Sequence, residues 1–431
     1  MTPAAKPSHA PLPYGVRDLF YEDAAGLASL GDACREIFAR WGYTQVITPT
    51  YEHYDVLLRG YGADQEVDLY RVLDREGAVL ALRPDITTQV ARLAGAKLAA
   101  EPRPLRFSYF TNVFRYDEPQ AGRQREFFQA GVELIGAPTA QADAEVIEVC
   151  IECLLAAGLR DFQLNLGHMG IFRDLVGGLD LRPSEVASLR RAIDRKDTAT
   201  LARLLAEDGV NAGAAALLQA LPSLCGGPDM LDRAAALMAR MPRGEGLPGD
   251  ASSVAAAVEH LRGLLGLLQA HGVAQHVILD LGEVRGMGYY TGMNFEGFVA
   301  GLAYPICSGG RYDNLVGLYG SSSPAVGFAL GVERVQMALE RQGCPPPSVA
   351  PDLLVSAAAA ERAREAIGTA RRAGIRVAVD PLLASDDELI TFARGRGIRR
   401  VLLDGGSQAT VVEGGRHRHI SWDALAEALR P

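Results

Sequence analysis

From its opening residues this sequence is not expected to carry a leader or an anchor. The opening MTPAAKPSHAPLPYGVRDL holds no apolar run of the signal-peptide kind. Later apolar stretches are broken by charge or glycine before they reach the roughly 20 residues that a bilayer crossing needs. The expectation is a cytoplasmic protein with no membrane partner. Cysteine is sparse: six residues, at 34, 150, 153, 225, 307 and 344, too few and too scattered for a disulfide framework. Cys150 and Cys153 have a spacing that invites a metal or redox reading. They lie inside an apolar helical run, residues 144–155, with no second ligand pair nearby, so packing is the expected role. Positive charge is not in excess either, with 43 basic against 52 acidic residues and a net charge of -9. That argues against a generally basic nucleic-acid binder, though a local basic groove depends only on where the charge sits. Internal repeats and long low-complexity tracts are absent, and no cofactor or metal is expected.

What is present is a chain of 431 residues, 48% hydrophobic, with ample material for a core. Its length corresponds to roughly two to three domains. Residues 23–40 carry Leu27, Leu30, Ala33, Ile37 and Phe38 at helical spacing and stop at Trp41-Gly42. The runs TQVITPTY, DLYRVLD, AVLALRP, LRFSYFTNVFRYD and REFFQAGVELIG then read as strands separated by turns, as in an antiparallel sheet. From Asp143 the pattern is helical, followed by a strand, DFQLNLGH.

Residues of about 171–270 change to Ala, Leu, Arg and Asp with almost no β-branched runs, a helical insertion whose landmark is a short breaker at 221–227, LPSLCGG. Strands resume with HVILDLGEV and YYTGMNFEGFV, and a helix follows Gly331. The proline-rich stretch 344–351, CPPPSVAP, is a stiff linker. It divides a core domain, 1–343, from a small C-terminal α/β domain, 352–431, in which DLLVSA, a helix, IRVAVD, a second helix, RRVLLD and ATVVEG alternate.

Chemistry concentrates in a few motifs. Residues 114–129, FRYDEPQAGRQREFFQ, place Arg115, Arg123 and Arg125 about a glycine-containing loop between two strands. The guanidinium fork suits bidentate contact with phosphate or carboxylate, although one such hairpin with solvated arginines is equally ordinary. Residues 308–313, SGGRYD, and 325–334, AVGFALGVER, follow; the latter sets glycines at a strand-to-helix turn with Arg334 on the helix. Residues 285–292, RGMGYYTG, add Tyr289 and Tyr290 as amphipathic walls. Alone, a pair of glycines or tyrosines is more often a turn or core packing.

Together these blocks resemble the class II aminoacyl-tRNA synthetases. Residues 114–129 resemble motif 2 and 325–334 motif 3. Residues 13–18 (PYGVRD), 82–87 (LRPDIT), 285–292 and 308–313 resemble stretches particular to the histidyl branch. The resemblance runs from residue 11 to about 340. It implies an α+β fold: an antiparallel sheet of about six strands flanked by helices, interrupted by the helical insertion and followed by the α/β domain. It also implies a dimer formed through the N-terminal region. Carried over by position, it implies a histidine-like pocket of Asp85, Thr87, Gln129, Glu133, Arg285, Tyr289 and Tyr290, and nucleotide or phosphate contacts at Arg115, Arg123 and Arg334.

Two groups of relatives share this core: the synthetase, and the regulatory subunits required by the short form of ATP phosphoribosyltransferase. The chain departs from the synthetase pattern at telling places. Arg83-Pro-Asp-Ile-Thr87 stands where synthetases usually have Arg-Pro-Glu-Gly-Thr, so the carboxylate that would meet the α-ammonium is one methylene short. Gly288 replaces a carboxylate of Arg-Gly-Leu-Asp-Tyr-Tyr, and Arg115-Tyr-Asp117 replaces Arg-x-Glu. Both 82–87 and 221–227 resemble the regulatory subunits. Residues 350–431 hold 12 arginines, 11 acidic residues and no lysine, a poor grip for an anticodon stem. The resemblance therefore implies a non-catalytic subunit whose partner is the short-form transferase in a hetero-oligomer, with histidine as its candidate ligand and tRNA not expected. An active histidyl-tRNA synthetase is the alternative.

Overall fold

The computed structural model describes residues 12–61, 68–116, 124–177, 179, 181–207, 212–239, 251–284 and 288–429. The chain forms two compact units, Met1–Pro346 and Pro347–Pro431.

The first unit opens with α1 (Tyr21–Arg40), which buries Leu30, Cys34, Ile37 and Phe38 along one stripe. The run that reads as one strand around residue 49 is in fact two, β1 (Thr44–Gln45) and β2 (Tyr51–His53). Pro49 between them has no N–H to give a ladder. Next come α2 (Tyr54–Tyr61), β3 (Arg71–Leu73), β4 (Val79–Leu82) and α3 (Thr87–Arg92). Strands β2, β4 and β3 make a small antiparallel sheet. A long hairpin follows, β5 (Leu105–Phe114) and β6 (Glu126–Ile135), paired without a break from Leu105↔Ile135 to Phe114↔Glu126. Helix α4 (Ala140–Ala156) starts at Thr139, whose hydroxyl accepts the Ala142 amide at 3.3 Å.

After β7 (Gln163–His168) the chain is mostly helical: α5 (Met169–Gly177), α6 (Pro183–Asp194), α7 (Thr198–Glu207), α8 (Ala212–Ala220), β8 (Cys225–Gly226), α9 (Asp229–Met238) and α10 (Ala251–Ala270). It closes with β9 (Val277–Asp280), β10 (Met293–Phe298), β11 (Cys307–Arg311), β12 (Ala325–Gly331) and α11 (Val332–Arg341).

The main sheet has the order β1-β5-β6-β12-β11-β10-β7-β9-β8. Its six central strands, β5 to β7 in that order, are antiparallel throughout. The sheet is wider than the expected six: β1 adds to one edge in parallel, and β9, parallel to β7, and β8 add to the other. Residues 221–227 are thus more than a breaker. They form a 3₁₀ turn and then the edge strand β8, with Gly226 opposite Leu279. One face of the sheet packs on the helices through residues such as Val132, Leu134, Phe328 and Leu330. The other carries the site.

In the second unit β13 (Leu353–Val355), α12 (Ala357–Ala360), α13 (Arg364–Arg372), β14 (Val377–Val379), α14 (Asp386–Gly395), β15 (Arg400–Gly405), β16 (Gln408–Glu413), β17 (Arg416–Ile420) and α15 (Leu425–Ala428) give one sheet, β14-β13-β15-β16-β17. Strand alternation feeds two apolar layers. Leu353, Val355, Leu402 and Val411 share one with Ile367 of α13 and Leu425 of α15, while Leu354, Leu403 and Val412 share the other with Leu389 of α14.

All six cysteines are free. Cys34, Cys150, Cys153 and Cys307 are buried in the main core, and burial pushes the Cys150 and Cys153 thiols well above their ordinary range, so they pack as apolar groups. No helix among the described residues is long and apolar enough to cross a membrane.

Candidate ligand-binding site

Alternation along β6 sets the site. Phe128, Ala130, Val132 and Leu134 belong to the helical side of the sheet, and the residues between them turn the other way. Phe127 and Gln129 line a cleft with about 710 Å³ of empty space including its open mouth. Glu133 lies beneath, wholly buried. Thr87 Oγ1 donates to its Oε1 at 2.6 Å, Tyr109 Oη lies 3.3 Å from the same oxygen, and the Tyr312 hydroxyl donates to Oε2. Burial pushes the Glu133 carboxyl up to about 8, against the pull of these hydroxyls, and the neighbouring Asp85 adds to the rise.

Glycine makes that position available. Gly327 of β12 pairs with Glu133, and a Cβ there would fall 1.9 Å from Oε2 and 2.5 Å from the Val132 carbonyl oxygen. Gly131 is equally confined, with the Phe328 carbonyl oxygen 2.2 Å from its would-be Cβ.

Asp85 is carried in by the turn after β4. Arg83, itself buried, clamps that turn: Nη1 donates to the Thr48 carbonyl at 2.9 Å, Nε to the Asn112 carbonyl at 2.8 Å and Nη2 to Asn112 Oδ1 at 3.0 Å. Arg115 Nε holds the next carbonyl, Pro84, at 2.9 Å. The Thr88 amide donates to Asp85 Oδ1 at 3.1 Å. Asp85 Oδ2 and Gln129 Oε1 are buried and have no hydrogen-bond partner among the described residues, and both residues line the cleft. Burial raises the Asp85 carboxyl, opposed by the Thr88 amide and the Arg115 guanidinium. Buried acceptors normally find donors, so two orphans in one cleft define a place for a cationic N–H group.

The opposite wall is aromatic. Tyr289 and Tyr290 meet edge to face at 5.1 Å, and Tyr289 meets Tyr312 at 5.6 Å. The Tyr290 ring lies against Gly310, where a Cβ would come within 2.9 Å of it. Arg115 and Arg334 also line the cleft. Arg115 lies 5.3 Å over the Phe127 ring, and Arg334 lies 5.1 Å over Tyr304 while donating to the Pro305 carbonyl at 2.8 Å. Two guanidinium groups near an open mouth suit phosphate or carboxylate.

Asp85, Thr87, Arg115, Gln129, Tyr289, Tyr290 and Arg334 therefore surround one cleft with Glu133 beneath it. Arg123 and Arg285 lie outside the described residues. Tyr109 was not singled out by sequence: on an alternating strand it reads as core. Tyr312 and Gly327 sat inside quoted motifs without a role, and only the pairing of β6 with β12 and the fold of β11 reveal one.

Residues 15–335 match the family model described as histidyl-tRNA synthetase. The chain is 38% identical over 412 residues to the ATP phosphoribosyltransferase regulatory subunit of Geobacter sulfurreducens, covering 95% of this chain and 91% of the relative. Identity to the protein of the same name from Moorella thermoacetica is 40% over 391 residues, covering 90% and 96%. A solved Bacillus halodurans structure, described as an ATP phosphoribosyltransferase regulatory subunit/histidyl-tRNA synthetase, is similar at a TM-score of 0.78 with 30% identity, covering 93% of this chain and 99% of that one.

Proposed function

The chain belongs to the histidyl-tRNA synthetase family, among its ATP phosphoribosyltransferase regulatory subunits, and from that premise we propose that it binds histidine and passes feedback inhibition to a short-form catalytic subunit without charging tRNA itself. The reaction so regulated joins ATP to phosphoribosyl pyrophosphate, the first step of histidine biosynthesis. The chain acts as a dimer within a cytoplasmic hetero-oligomer.

The observation that carries the ligand reading is the pair of orphan acceptors, Asp85 Oδ2 and Gln129 Oε1, in a cleft that also holds Glu133 and two tyrosines. An amino acid whose ammonium satisfies the first two and whose imidazole reaches the carboxyl fits that chemistry. Against catalysis stand the short Asp85 and the missing carboxylate at Gly288. A displacement of about 1 Å in a positioning contact can cost on the order of a hundredfold in rate. Feedback requires that histidine prefer one assembly state by about 1–3 kcal/mol.

Co-expression with a short-form transferase, size-exclusion chromatography and a phosphoribosyl-ATP assay test the proposal. The two proteins should co-elute, the transferase should be nearly inactive alone, and histidine should inhibit the complex. Failure to associate at micromolar concentration, or unchanged transferase activity, would sink it. The retained Arg115 and Arg334 favour a second reading, an active synthetase, which a charging assay decides.

A further inference from the structure

Behind the cleft, on the helical side of the sheet, lies a buried polar chain that joins four elements. Arg311 ends β11 and points away from the cleft, while the next residue, Tyr312, points toward it and holds Glu133. The Arg311 guanidinium meets Asp143 Oδ1 in the first turn of α4, with Nη2 at 2.6 Å and Nε at 3.0 Å, and Nη1 reaches Asp313 at 3.1 Å. Asp143 is fully buried. Its other oxygen lies 2.9 Å from Nε2 of His260 on α10, and His260 Nδ1 lies 3.4 Å from Nε2 of His168 at the end of β7.

The proton positions follow from the ends of the chain. The Gly170 amide donates to His168 Nδ1 at 3.1 Å, so a neutral His168 carries its hydrogen on Nε2, facing His260. His260 Nδ1 is then the acceptor, while its Nε2 lies against Asp143 Oδ2, a buried oxygen with no hydrogen bond among the described residues. Burial, reinforced by His260, holds His168 neutral.

The main chain of Arg311 completes the link. Its carbonyl accepts the Thr291 amide at 2.7 Å, directly after the cleft residues Tyr289 and Tyr290, and Arg173 of α5 holds the Thr291 carbonyl at 2.9 Å. One residue therefore fixes both the tyrosine wall and the Tyr312 contact, while its side chain is held by Asp143 of α4, against which His260 of α10 lies.

We propose that Asp143, Arg311 and His260 are positioning residues for the cleft and couple it to helix α10, so that occupancy of the cleft is transmitted to that helix. The inference rests on the reading of the cleft as a histidine site. Coupling is reciprocal, so if ligand alters α10, a change at His260, whose side chain is 25% exposed, should alter ligand affinity in turn.

The test uses the full chain carrying His260→Ala, His260→Gln or, as a control on the same helix, Glu259→Gln. Histidine affinity is read by calorimetry, and amide exchange by mass spectrometry over 288–292, 308–313 and 255–264. His260→Ala should weaken histidine binding by about fivefold or more and speed exchange at Thr291 and Tyr312. His260→Gln, which keeps an N–H facing Asp143, should restore most of both, and Glu259→Gln should change neither. Histidine should slow exchange in α10 of the unaltered protein and not of His260→Ala. Unaltered affinity and exchange in His260→Ala overturn the proposal. If the unaltered chain binds no histidine, the ligand reading falls, and exchange without ligand still decides the positioning role.

Discussion

A carboxyl group in water ionises well below neutrality, but Glu133 is wholly buried, and burial pushes it up to about 8. Free imidazole titrates near about 6.5. When the two meet in the cleft, the bound pair holds one proton between them, whichever atom carries it. Below about 6.5 both partners arrive protonated, and one proton must leave on binding. Above about 8 the carboxyl is ionised and the imidazole neutral, so the titrating proton that the bound pair holds must be taken up. Histidine affinity should therefore be greatest between these limits and fall by up to about tenfold per pH unit on either side. Calorimetry over roughly pH 5.5 to 9 reads the profile. Glu133→Gln should lose the alkaline limb and keep the acid one, because the amide has no proton to lose. An unaltered protein whose affinity stays level through the alkaline range would remove Glu133 from recognition of the ring.

Strands β6 and β12 approach each other closely enough that missing side chains matter as much as present ones. At Gly327 a methyl group would meet a backbone oxygen, Val132, as well as the Glu133 carboxylate, and the backbone of a central strand cannot step aside. Gly327→Ala should therefore cost about 1–3 kcal/mol in urea unfolding and at least about tenfold in histidine affinity, because Glu133 must leave its place. Stability and affinity both equal to the parent's would show that the pairing tolerates a Cβ. These strands were legible in the sequence because β5 and β6 are rich in aromatic and β-branched residues and are set off by turn residues. Other elements had no such pattern. All four of Arg416 to His419 are exposed, so β17 shows no face of its own and exists through its ladder with β16. The two-residue β8 is set by β9 across from it, and the division of 44–53 between two sheets follows from Pro49 and from Arg83 gripping Thr48. The site divides the same way. Gln129 and Glu133 came from the family resemblance, whereas Tyr109, the Gly327 contact and the two orphan acceptors exist only once distant strands are paired.

Over the whole molecule the charge that RNA would need is scarce, and part of it is spent within the protein. The net charge is -9, and residues 350–431 balance 12 arginines with 11 acids, a surplus of only one. Several of those arginines serve their own unit. Arg376 is paired with Asp352 at 2.9 Å, Arg362 reaches Asp404 at 3.2 Å while lying 4.4 Å over Trp422, and Arg371 donates to the Val377 carbonyl at 2.8 Å. Asp386, Asp387 and Glu388 make the first turn of α14 acidic. Binding through phosphates weakens with salt by a log–log slope of about 0.7–0.9 per contact, so a site with few free cations has little left at physiological salt. The purified chain should show no saturable tRNA binding at micromolar concentration there, and charging of histidine tRNA should run far below the ~1 per second common among enzymes. Turnover at that rate or faster would make the chain a synthetase and remove the main conclusion. Histidine-dependent exchange of pyrophosphate into ATP separates the two halves of the question, because it needs the cleft and no RNA. On the proposed reading Arg115 and Arg334 would serve a nucleotide, whereas Asp85 and Gly288 would alter the groups about the amino acid, so exchange is expected to be slow even where histidine binds. Brisk exchange without charging would instead place the defect wholly in the RNA-binding half, and Asp85→Glu would then leave the exchange rate where it was.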